Sequence, residues 1–367
     1  MIFGSLVMKK KVFFIVSHLG AGGSERVFWI LSQYFDKTAF DVSLVLLDSR
    51  DPFFPTNLKD VNLINLNTIR ASASFFKLYK LIKEEQPEAV FTTGGHINTL
   101  LSFVSLFVRI PLLIGRESSV SDLMAKLGGI KEKFWDLFVP FTYKRVNIAI
   151  CQSLEIKYSM TNHYRIDKNK LVVIHNPVLT TNLIAKEEQE SDEKKIIIVA
   201  RLAIEKGILQ FLDVMKKLPA TYSLTVVGRG PLEQEIRSKI DTLELTDRVE
   251  LKGLVKNVPE LISQHNLMIL PSIAEGFPNV VLESFSVGVP VVAFRVSGIN
   301  ELLRHDFNGY IIDHGDLQSF EKAILKACSK HWDRESIKND VDKRFGVKKI
   351  VKQYENLIAS YNSLCFK

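Results

Sequence analysis

Two carboxylates, Glu275 and Glu283, lie in residues 267–301 around a helix that is predicted to follow a short apolar strand. Pro278 is compatible with the first turn of that helix, and Gly288 suits its C-terminal cap. Helix side chains lean toward the N-terminus, so Glu283 is aimed at the end where Glu275 lies. Free N–H groups there favour an anion or a polar ligand. The alternative is an ordinary buried helix with a surface ion pair.

Two cations follow another predicted strand, Ile196–Val199. Arg201 stands at its C-terminal tip, and Lys206 begins the next predicted helix. An arginine fork and a lysine point charge together suit an anionic diphosphate. A cation at a helix N-terminus opposes the helix dipole, which favours a functional role for Lys206 over a structural one. Carboxylates repel phosphates, so the two glutamates are expected to accept hydrogen bonds from the hydroxyls of a nucleotide sugar.

Three glycines, Gly20, Gly22 and Gly23, separate the first predicted strand from the first helix. Glycines in this position let the backbone approach a ligand and direct N–H groups at phosphate or sugar oxygens. The spacing is not G-x-G-x-x-G, and no acidic residue ends the second strand as in dinucleotide-binding proteins. A plain tight turn is the alternative.

Strand and helix patterns alternate along the whole chain, and the strands are nearly continuous apolar runs. This alternation predicts parallel sheets covered on both faces, that is, an α/β fold. The predicted helices include Asn98–Val108, Lys131–Arg145, Gly207–Leu218 and Lys348–Tyr361.

The polar run at residues 186–195 resembles a linker, after which the pattern restarts. We therefore predict a first doubly wound domain over residues 1–185, joined by a C-terminal helix at 348–367. A second such domain is predicted over residues 186–347. Ligands of such sheets bind beyond the carboxyl ends of the strands, so a cleft between two facing domains is the expected site.

The segment Glu275-Gly-Phe-Pro-Asn-Val-Val-Leu-Glu283, with Arg201, Lys206 and the glycine turn, resembles the retaining glycosyltransferases of family four. This family, also called glycosyl transferases group 1, has the GT-B fold of two facing Rossmann-like domains. The resemblance covers essentially the whole chain and is strongest from Ile196 to Leu303. It implies a nucleotide sugar as donor substrate and no cofactor.

The resemblance also implies roles for individual residues. Arg201 and Lys206 would bind the donor diphosphate, Glu283 the ribose hydroxyls and Glu275 the transferred sugar. The backbone N–H groups from Phe277 to Val281 would hold sugar and phosphate, and residues 253–255 match where the family holds the base. The implied donor-binding set is Gly22, Gly23, Arg201, Lys206, Gly253, Val255, Glu275, Gly276, Phe277, Asn279, Val280, Val281 and Glu283.

A histidine near the transferred sugar is common in this family, and His96 lies at a matching place after the fourth strand. We count it with Glu275, Arg201 and Lys206 as catalytic candidates, although a packing or capping histidine is the alternative. His18, Arg116 and Glu117 are candidates for contact with the acceptor. For Arg116 and Glu117 the alternative is a local salt bridge.

No metal is expected to be required. Asp340-Val341-Asp342 has the D-x-D form found in metal-dependent glycosyltransferases, but it follows a polar stretch and not a buried strand. A solvated surface is the simpler interpretation. The three cysteines are far apart, which suits reduced thiols in a cytoplasm and shows no metal-ligand spacing.

The net charge of +7 belongs to the first half of the chain. Residues 1–185 hold 22 Lys and Arg against 15 Asp and Glu, whereas residues 186–367 hold 26 of each. Aromatic and cationic residues are mixed at helical spacing over residues 126–145, which suits an interfacial helix on an anionic membrane surface. An ordinary core-facing helix is the alternative. No recognition motif supports a nucleic-acid partner.

The predicted activity is transfer of a hexosyl or N-acetylhexosaminyl group, with retention, from a UDP-sugar to a glycan acceptor. An acceptor linked to a polyprenyl diphosphate, in bacterial surface polysaccharide or glycoconjugate assembly, fits the basic half. The expected location is the cytoplasm, peripheral on the inner face of the membrane. No predicted helix is long enough to span a bilayer, and translation could start at Met1 or Met8. The alternatives are a nucleotide-sugar epimerase and a sugar-nucleotide-binding module.

Overall fold

The computed structural model describes residues 8–68, 71–118, 137–185 and 192–365. The chain forms two compact units, Met1–Pro177 with Val347–Lys367, and Val178–Gly346. The boundary thus precedes the polar run at which the sequence pattern restarts. Residues 178–185 join the second unit because Val178 donates to the Phe345 carbonyl at 2.9 Å and Ala185 donates to the Val287 carbonyl at 2.8 Å.

The first unit is a parallel sheet of seven strands in the order β3-β2-β1-β4-β5-β6-β7. Its central strands are apolar and buried along their length, as expected where helices cover both faces of a sheet. The strands are β1 (Lys10–Val16), β2 (Phe40–Leu46), β3 (Asn62–Asn65), β4 (Ala89–Thr93), β5 (Leu112–Glu117), β6 (Ile148–Cys151) and β7 (Leu171–Val173). The helices are α1 (Gly23–Tyr34), α2 (Phe75–Glu85), α3 (Gly95–Val104), α4 (Val139–Arg145), α5 (Leu154–Asn162) and, after the second unit, α13 (Val347–Cys365).

The core of the first unit includes a cluster of aromatic rings. Phe14 of β1 stacks on Phe91 of β4 with ring centroids 4.9 Å apart, and Phe28 of α1 meets Phe14 edge-on at 5.2 Å. Tyr354 of α13 completes the cluster at 5.5 Å from Phe91. The last helix is therefore part of the core of the first unit.

The second unit is a parallel sheet of six strands in the order β10-β9-β8-β11-β12-β13. The strands are β8 (Lys194–Val199), β9 (Tyr222–Val227), β10 (Val249–Gly253), β11 (Leu267–Leu270), β12 (Val291–Phe294) and β13 (Gly309–Ile312). The helices are α6 (Ile208–Lys217), α7 (Glu233–Thr242), α8 (Val258–Ile262), α9 (Asn279–Ser286), α10 (Ile299–Leu302), α11 (Leu317–Ser329) and α12 (Arg334–Phe345). The expectation of two doubly wound α/β units is confirmed.

Each sheet has one point where the chain reverses its direction of winding. In the first unit this point lies between β1 and β4, and in the second it lies between β8 and β11. The loops that leave such a pair of strands diverge and form a crevice beyond the carboxyl ends, where ligands of open α/β sheets bind. Both groups of motifs found in the sequence lie in these loops.

Several helix bounds differ from those predicted. Helix α3 begins at Gly95, three residues earlier than expected, because Gly94 makes the turn with a φ of 90°. Helix α12 was not predicted at all. Its composition is polar, but Ile337, Val341 and Phe345 recur every four residues and bury one narrow stripe. Residues 131–136 of the predicted helix Lys131–Arg145 lie outside the described residues.

Candidate functional site

The candidate donor site is built from two loops of the second unit, residues 200–207 after β8 and residues 271–278 after β11. These loops are held together by their backbones: the Glu205 carbonyl accepts from the N–H groups of Ile273 and Ala274 at 2.8 and 3.4 Å. Because β8 and β11 are adjacent in the sheet, residues about seventy positions apart in the chain become neighbours.

Lys206 and Glu275 form an ion pair across these loops. The Lys206 Nζ lies 2.8 Å from the Glu275 Oε1, and the two side chains are 19% and 13% exposed. The predicted phosphate ligand and the predicted sugar ligand are thus brought into contact. Their partial exposure leaves both groups accessible to a ligand, while the reduced contact with water strengthens their attraction.

Lys206 does not begin the helix, as the sequence had suggested. It ends a short 3₁₀ turn, Ile204–Lys206, and α6 starts at Ile208. The conflict between a cation and the helix dipole, which favoured a functional role for Lys206, therefore does not apply here. What fixes its position is Gly207, whose φ of +66° continues the chain into α6.

Gly207 also sets the distance between the two loops. A Cβ at this position would lie 2.0 Å from the Pro271 carbonyl oxygen, far inside van der Waals contact. Only glycine permits both this approach and the positive φ. Gly207 consequently keeps Lys206 within reach of the loop that carries Glu275.

Arg201 is the exposed cation of the site. Its side chain is 65% exposed and makes an ion pair with Glu205, one turn further along. Burial alone would raise the pKa of the Glu205 carboxyl, but hydrogen bonds from its own backbone N–H and from Arg201 outweigh this and lower it. Glu205 was not identified from the sequence. It neutralises the cation that was expected to meet the diphosphate.

Helix α9 begins at Asn279, four residues after Glu275. Pro278 is its N-cap residue and provides no side-chain hydrogen bond to the first turn. Phe277 and Val281 are buried, whereas Asn279 and Val280 are half-buried at the surface of the first turn. Contacts to Phe277 and Val281 would therefore have to use backbone groups, as expected for an anion at a helix N-terminus.

Glu283 and Gly276 are also buried. Glu283 lies in the second turn of α9 and is only 5% exposed. Gly298, in the turn before α10, has a φ of +75°. Its backbone packs so closely against Phe277 that a Cβ at Gly298 would lie 2.6 Å from the phenylalanine ring. The β11–α9 loop is thus pressed into the unit by the turn before α10, and its shape is fixed by packing.

The predicted base-binding residues, Gly253 and Val255, lie at and just after the C-terminal end of β10. Gly253 has a φ of +67°, and its carbonyl accepts from the Gly228 N–H at 2.8 Å. Val255 packs against the core of the unit. The loops after β9 and β10 are therefore joined at the same carboxyl edge as the loops carrying Lys206 and Glu275.

In the first unit, the glycine turn after β1 is shaped by two side chains. The Gly20 N–H donates to His18 Nδ1 at 2.9 Å. Gly22 precedes α1, and a Cβ there would lie 2.1 Å from Glu25 Oε2. Glu25 therefore folds back over Gly22, and its Oε1 lies 3.4 Å from the Ser17 hydroxyl. Gly23 is the first residue of α1.

His96 lies opposite this turn, at the start of α3 after β4. Partial removal of water lowers the pKa of His96, opposed by the nearby Glu25 carboxylate and reinforced by His18. His18, Glu25 and His96 are therefore brought together electrostatically at the point where the winding reverses. Glu25 was missed in the sequence because it reads as an ordinary acidic residue in a first helical turn.

Arg116 and Glu117, which were predicted to contact the acceptor, are only 1% and 4% exposed. Arg116 Nη1 donates to the Thr93 hydroxyl at 3.0 Å, and Nη2 donates to the Asn176 side-chain carbonyl. The Tyr143 hydroxyl donates to Glu117 at 2.8 Å. The two residues serve internal networks, and their contact with an acceptor stays a prediction.

The D-x-D segment lies on α12, a helix. Asp340 pairs with Arg304 at 2.6 Å and Arg344 at 3.1 Å, and Asp342 accepts from the Thr180 hydroxyl. In the part of the chain that the structure describes, no three His, Cys, Asp or Glu residues come together as a metal site would require. Over the same ranges, every helix is too short or too polar to cross a bilayer.

Two family models match the chain. Residues 21–182 match the model "Glycosyltransferase Family 4", and residues 180–344 match the model "Glycosyl transferases group 1". The two matches adjoin near the boundary between the units and together leave only the chain ends unmatched.

Two enzymes and one solved structure illustrate the similarity. An Escherichia coli UDP-Gal:alpha-D-GlcNAc-diphosphoundecaprenol alpha-1,3-galactosyltransferase is 24% identical, covering 83% of this chain and 84% of its own. A Campylobacter jejuni GalNAc-alpha-(1->4)-GalNAc-alpha-(1->3)-diNAcBac-PP-undecaprenol alpha-1,4-N-acetyl-D-galactosaminyltransferase is 23% identical, covering 95% and 98%. The structure of Anabaena Alr3699/HepE in complex with UDP has a TM-score of 0.75 and 19% identity, covering 96% and 100%.

These similarities, together with the two parallel sheets, confirm the fold expected from the sequence. It is the GT-B fold, α/β with two Rossmann-like units. The chain belongs to the glycosyl transferases group 1, that is, to glycosyltransferase family 4.

Proposed function

We propose that this glycosyltransferase moves a sugar, with retention of its anomeric configuration, from a UDP-sugar to a polyprenyl-diphosphate-linked glycan in surface polysaccharide assembly. The observation that carries the proposal is the Lys206–Glu275 pair between the β8 and β11 loops. A cation for a diphosphate and a carboxylate for sugar hydroxyls are placed side by side at the point where the winding of the second sheet reverses.

Donor binding would exchange the partners of this pair. A diphosphate carries more negative charge than one carboxylate, so it would draw Lys206 Nζ away from Glu275. The freed Glu275 would then accept hydrogen bonds from the transferred sugar, while Glu283 would serve the ribose. The backbone N–H groups at the start of α9 would complete the phosphate site.

Departure of the diphosphate would be the step that these residues assist. Negative charge grows on the leaving phosphate oxygen as the bond to the sugar breaks, and Lys206 and Arg201 are the cations available to stabilise it. Such stabilisation of developing charge is typically worth several kcal/mol. The acceptor hydroxyl would attack from the face that the phosphate leaves, and a phosphate oxygen would take its proton.

The choice of donor and acceptor rests on the similar proteins. The Escherichia coli enzyme is named for UDP-Gal and a diphosphoundecaprenol acceptor, and the Anabaena structure contains UDP. The Escherichia coli and Campylobacter jejuni enzymes are both named for alpha linkages, which are the outcome of retention from an α-linked UDP-sugar. We propose no metal requirement, since the cations of the site are side chains.

The proposal is tested by mass spectrometry of transfer onto a short-chain polyprenyl diphosphate bearing N-acetylglucosamine. UDP-galactose, UDP-N-acetylglucosamine and UDP-N-acetylgalactosamine are offered in turn, with and without chelator. We expect one donor to give a product whose linkage is alpha by NMR, and Glu275→Gln to abolish transfer without altering the melting temperature.

Four outcomes would contradict the proposal. Near-normal transfer by Glu275→Gln would remove the assigned role, and a beta linkage would exclude retention. A new sugar nucleotide formed without any acceptor would identify an epimerase instead. Loss of transfer in chelator that manganese restores would show a metal requirement.

A further inference from the structure

The loop after β9 carries an arginine that was not identified from the sequence. Arg229 lies between Gly228 and Gly230 and is exposed at the carboxyl edge of the second sheet. Its backbone carbonyl accepts from the Leu202 N–H at 3.0 Å, and the Gly228 N–H donates to the Gly253 carbonyl at 2.8 Å. The loop is therefore tied on one side to the loop after β8 and on the other to the end of β10.

The two glycines that flank Arg229 bring its loop into close contact with the loop after β8. A Cβ at Gly228 would lie 1.9 Å from the Ala200 carbonyl oxygen, and a Cβ at Gly230 would lie 2.3 Å from the Leu202 carbonyl oxygen. Gly228 also has a φ of +138°, which favours glycine. Backbone contacts thus fix the point from which the Arg229 side chain extends, and a ligand there would meet a preorganised cation.

The side chain of Arg229 lies beside Gly253. Its Nε is 3.8 Å from the position that a Cβ would take at Gly253. Apart from Gly253 itself and its two neighbours in the chain, no other atom of the described residues lies within 4 Å of that position. The space next to Gly253 is therefore bounded by the Arg229 side chain and otherwise open, so a flat ligand group has room to enter.

Arg229 differs from Arg201 in the state of its hydrogen-bond donors. Arg201 is paired with Glu205, whereas the Arg229 guanidinium has no acceptor among the residues that the structure describes. A guanidinium group offers N–H donors and no acceptor. A ligand group that enters the space beside Gly253 is therefore expected to present an oxygen acceptor to Arg229.

The strand order indicates which part of a nucleotide sugar would reach Arg229. Lys206 and Glu275 lie beyond β8 and β11, whereas Arg229 and Gly253 belong to β9 and β10, one and two strands beyond β8 on the side away from β11. Because neighbouring strands are about 4.8 Å apart, these positions lie on the order of 5–10 Å from β8. A diphosphate at Lys206 and a sugar at Glu275 would thus leave the base to fill the space beside Gly253.

We propose that Arg229 is a specificity-determining residue that donates a hydrogen bond to a carbonyl oxygen of the donor's base. This deepens the proposed function and rests on it, because it names the side chain that recognises the uracil of a UDP-sugar. Uracil carries a carbonyl oxygen at its 4-position, whereas cytosine carries an amino group that only donates. Cytosine would therefore set donor against donor and leave Arg229 without an acceptor, which lowers the affinity for CDP.

The test is calorimetric titration of the full chain with UDP, CDP and inorganic pyrophosphate. We expect the wild type to bind UDP about 10- to 100-fold more tightly than CDP, as follows from one hydrogen bond to a charged donor. Arg229→Met should lose this preference because its affinity for UDP falls, while its affinity for pyrophosphate stays unchanged. Arg229→Gln should bind CDP better relative to UDP than the wild type does, because its amide oxygen can accept from the cytosine amino group.

Arg237→Met is the matched control. Arg237 is an exposed arginine on α7 of the same unit and pairs with Glu233 at 2.9 Å. This variant should bind all three ligands like the wild type. Arg229→Met should melt at the wild-type temperature, because an exposed side chain away from buried contacts contributes little to stability.

Each other outcome counts against a specific claim. A preference for UDP that survives Arg229→Met would overturn the role of Arg229 and leave the proposed function intact. An equal loss of UDP and CDP affinity would show that Arg229 stacks on the base without reading its edge, and a loss of pyrophosphate affinity would show a phosphate contact. Either result overturns the proposal. A wild type that binds neither nucleotide overturns both proposals, whereas an Arg229-dependent preference for UDP without any sugar transfer counts against the proposed function alone.

Discussion

The carboxyl edges of the two sheets carry similar residues with different fates. In the second unit, Lys206 and Glu275 pair with each other and remain partly exposed. In the first unit, Arg116 and Glu117 are the last two residues of β5, and they are buried and bound to other side chains of their own unit. A charge at the end of a parallel strand is therefore not sufficient evidence of a ligand site. What matters is whether its hydrogen bonds are already made by groups that cannot leave.

The strongest test of this contrast is Lys206→Met. If Lys206 stabilises the leaving diphosphate, its loss should lower the rate of transfer by about 10²–10³-fold, the range found for single groups that stabilise developing charge. The melting temperature should change little, because a partly exposed ion pair contributes modestly to stability. Steady-state kinetics and thermal denaturation measure the two effects.

Lys216→Met is the matched control, since Lys216 makes an ion pair with Glu244 at 3.2 Å elsewhere in the same unit. Its transfer rate should equal that of the wild type. Equal rates for Lys206→Met and Lys216→Met would remove Lys206 from the mechanism.

Gly207→Ala should have the next largest effect. The added Cβ meets the Pro271 carbonyl, so the β8 and β11 loops must separate and Lys206 must move from Glu275. We expect the transfer rate to fall at least tenfold and the free energy of unfolding to fall by more than about 2 kcal/mol, as for overpacking at a fixed backbone. Gly315→Ala is the control, because Gly315 has a similar φ of +83° but open space around it. A similar loss in both variants would mean that backbone strain, and not loop spacing, is responsible.

Arg116→Met should have the opposite effect to Lys206→Met, namely a loss of stability with little change in catalysis. It removes the hydrogen bonds that buried Arg116 donates to Asn176 and Thr93, so the free energy of unfolding should fall by about 1–3 kcal/mol in chemical denaturation. The KM values for both substrates should stay unchanged in the folded fraction. A raised KM for the acceptor with normal stability would restore the acceptor role that its burial argues against.

His96 should produce the smallest effect, visible as a pH dependence. Partial desolvation lowers its pKa, so the imidazole becomes neutral at a lower pH than a free histidine. If the neutral ring accepts a hydrogen bond from substrate, kcat/KM should rise with pH through that lowered pKa, and His96→Phe should lose this limb. Glu25→Gln should move the limb to still lower pH, because the Glu25 carboxylate raises the pKa of His96. An unchanged profile in both variants would leave His96 a packing residue.

The sequence was a better guide to the fold than to which residues of the site lie in contact. Apolar strands alternating with helices were sufficient to indicate both sheets, and local motifs identified Lys206 and Glu275. Their contact depends on β8 lying beside β11, which only the strand order of the folded sheet provides. The burial of Arg116 depends likewise on Asn176, sixty residues later in the chain. Helix α12 was missed because only every fourth residue of a polar segment is apolar.

The last helix has a consequence for how the chain becomes folded during synthesis. Tyr354 fills the aromatic core of the first unit, and Glu355 accepts from the backbone N–H of Asp36 at 2.9 Å, although both residues follow the entire second unit. A ribosome would therefore deliver these residues after all seven strands of the first unit and the whole second unit. Until then the Phe91 ring lacks its contact with Tyr354, so an interrupted chain would expose aromatic surface to chaperones and proteases. The first unit can therefore be completed only after the whole second unit has been translated.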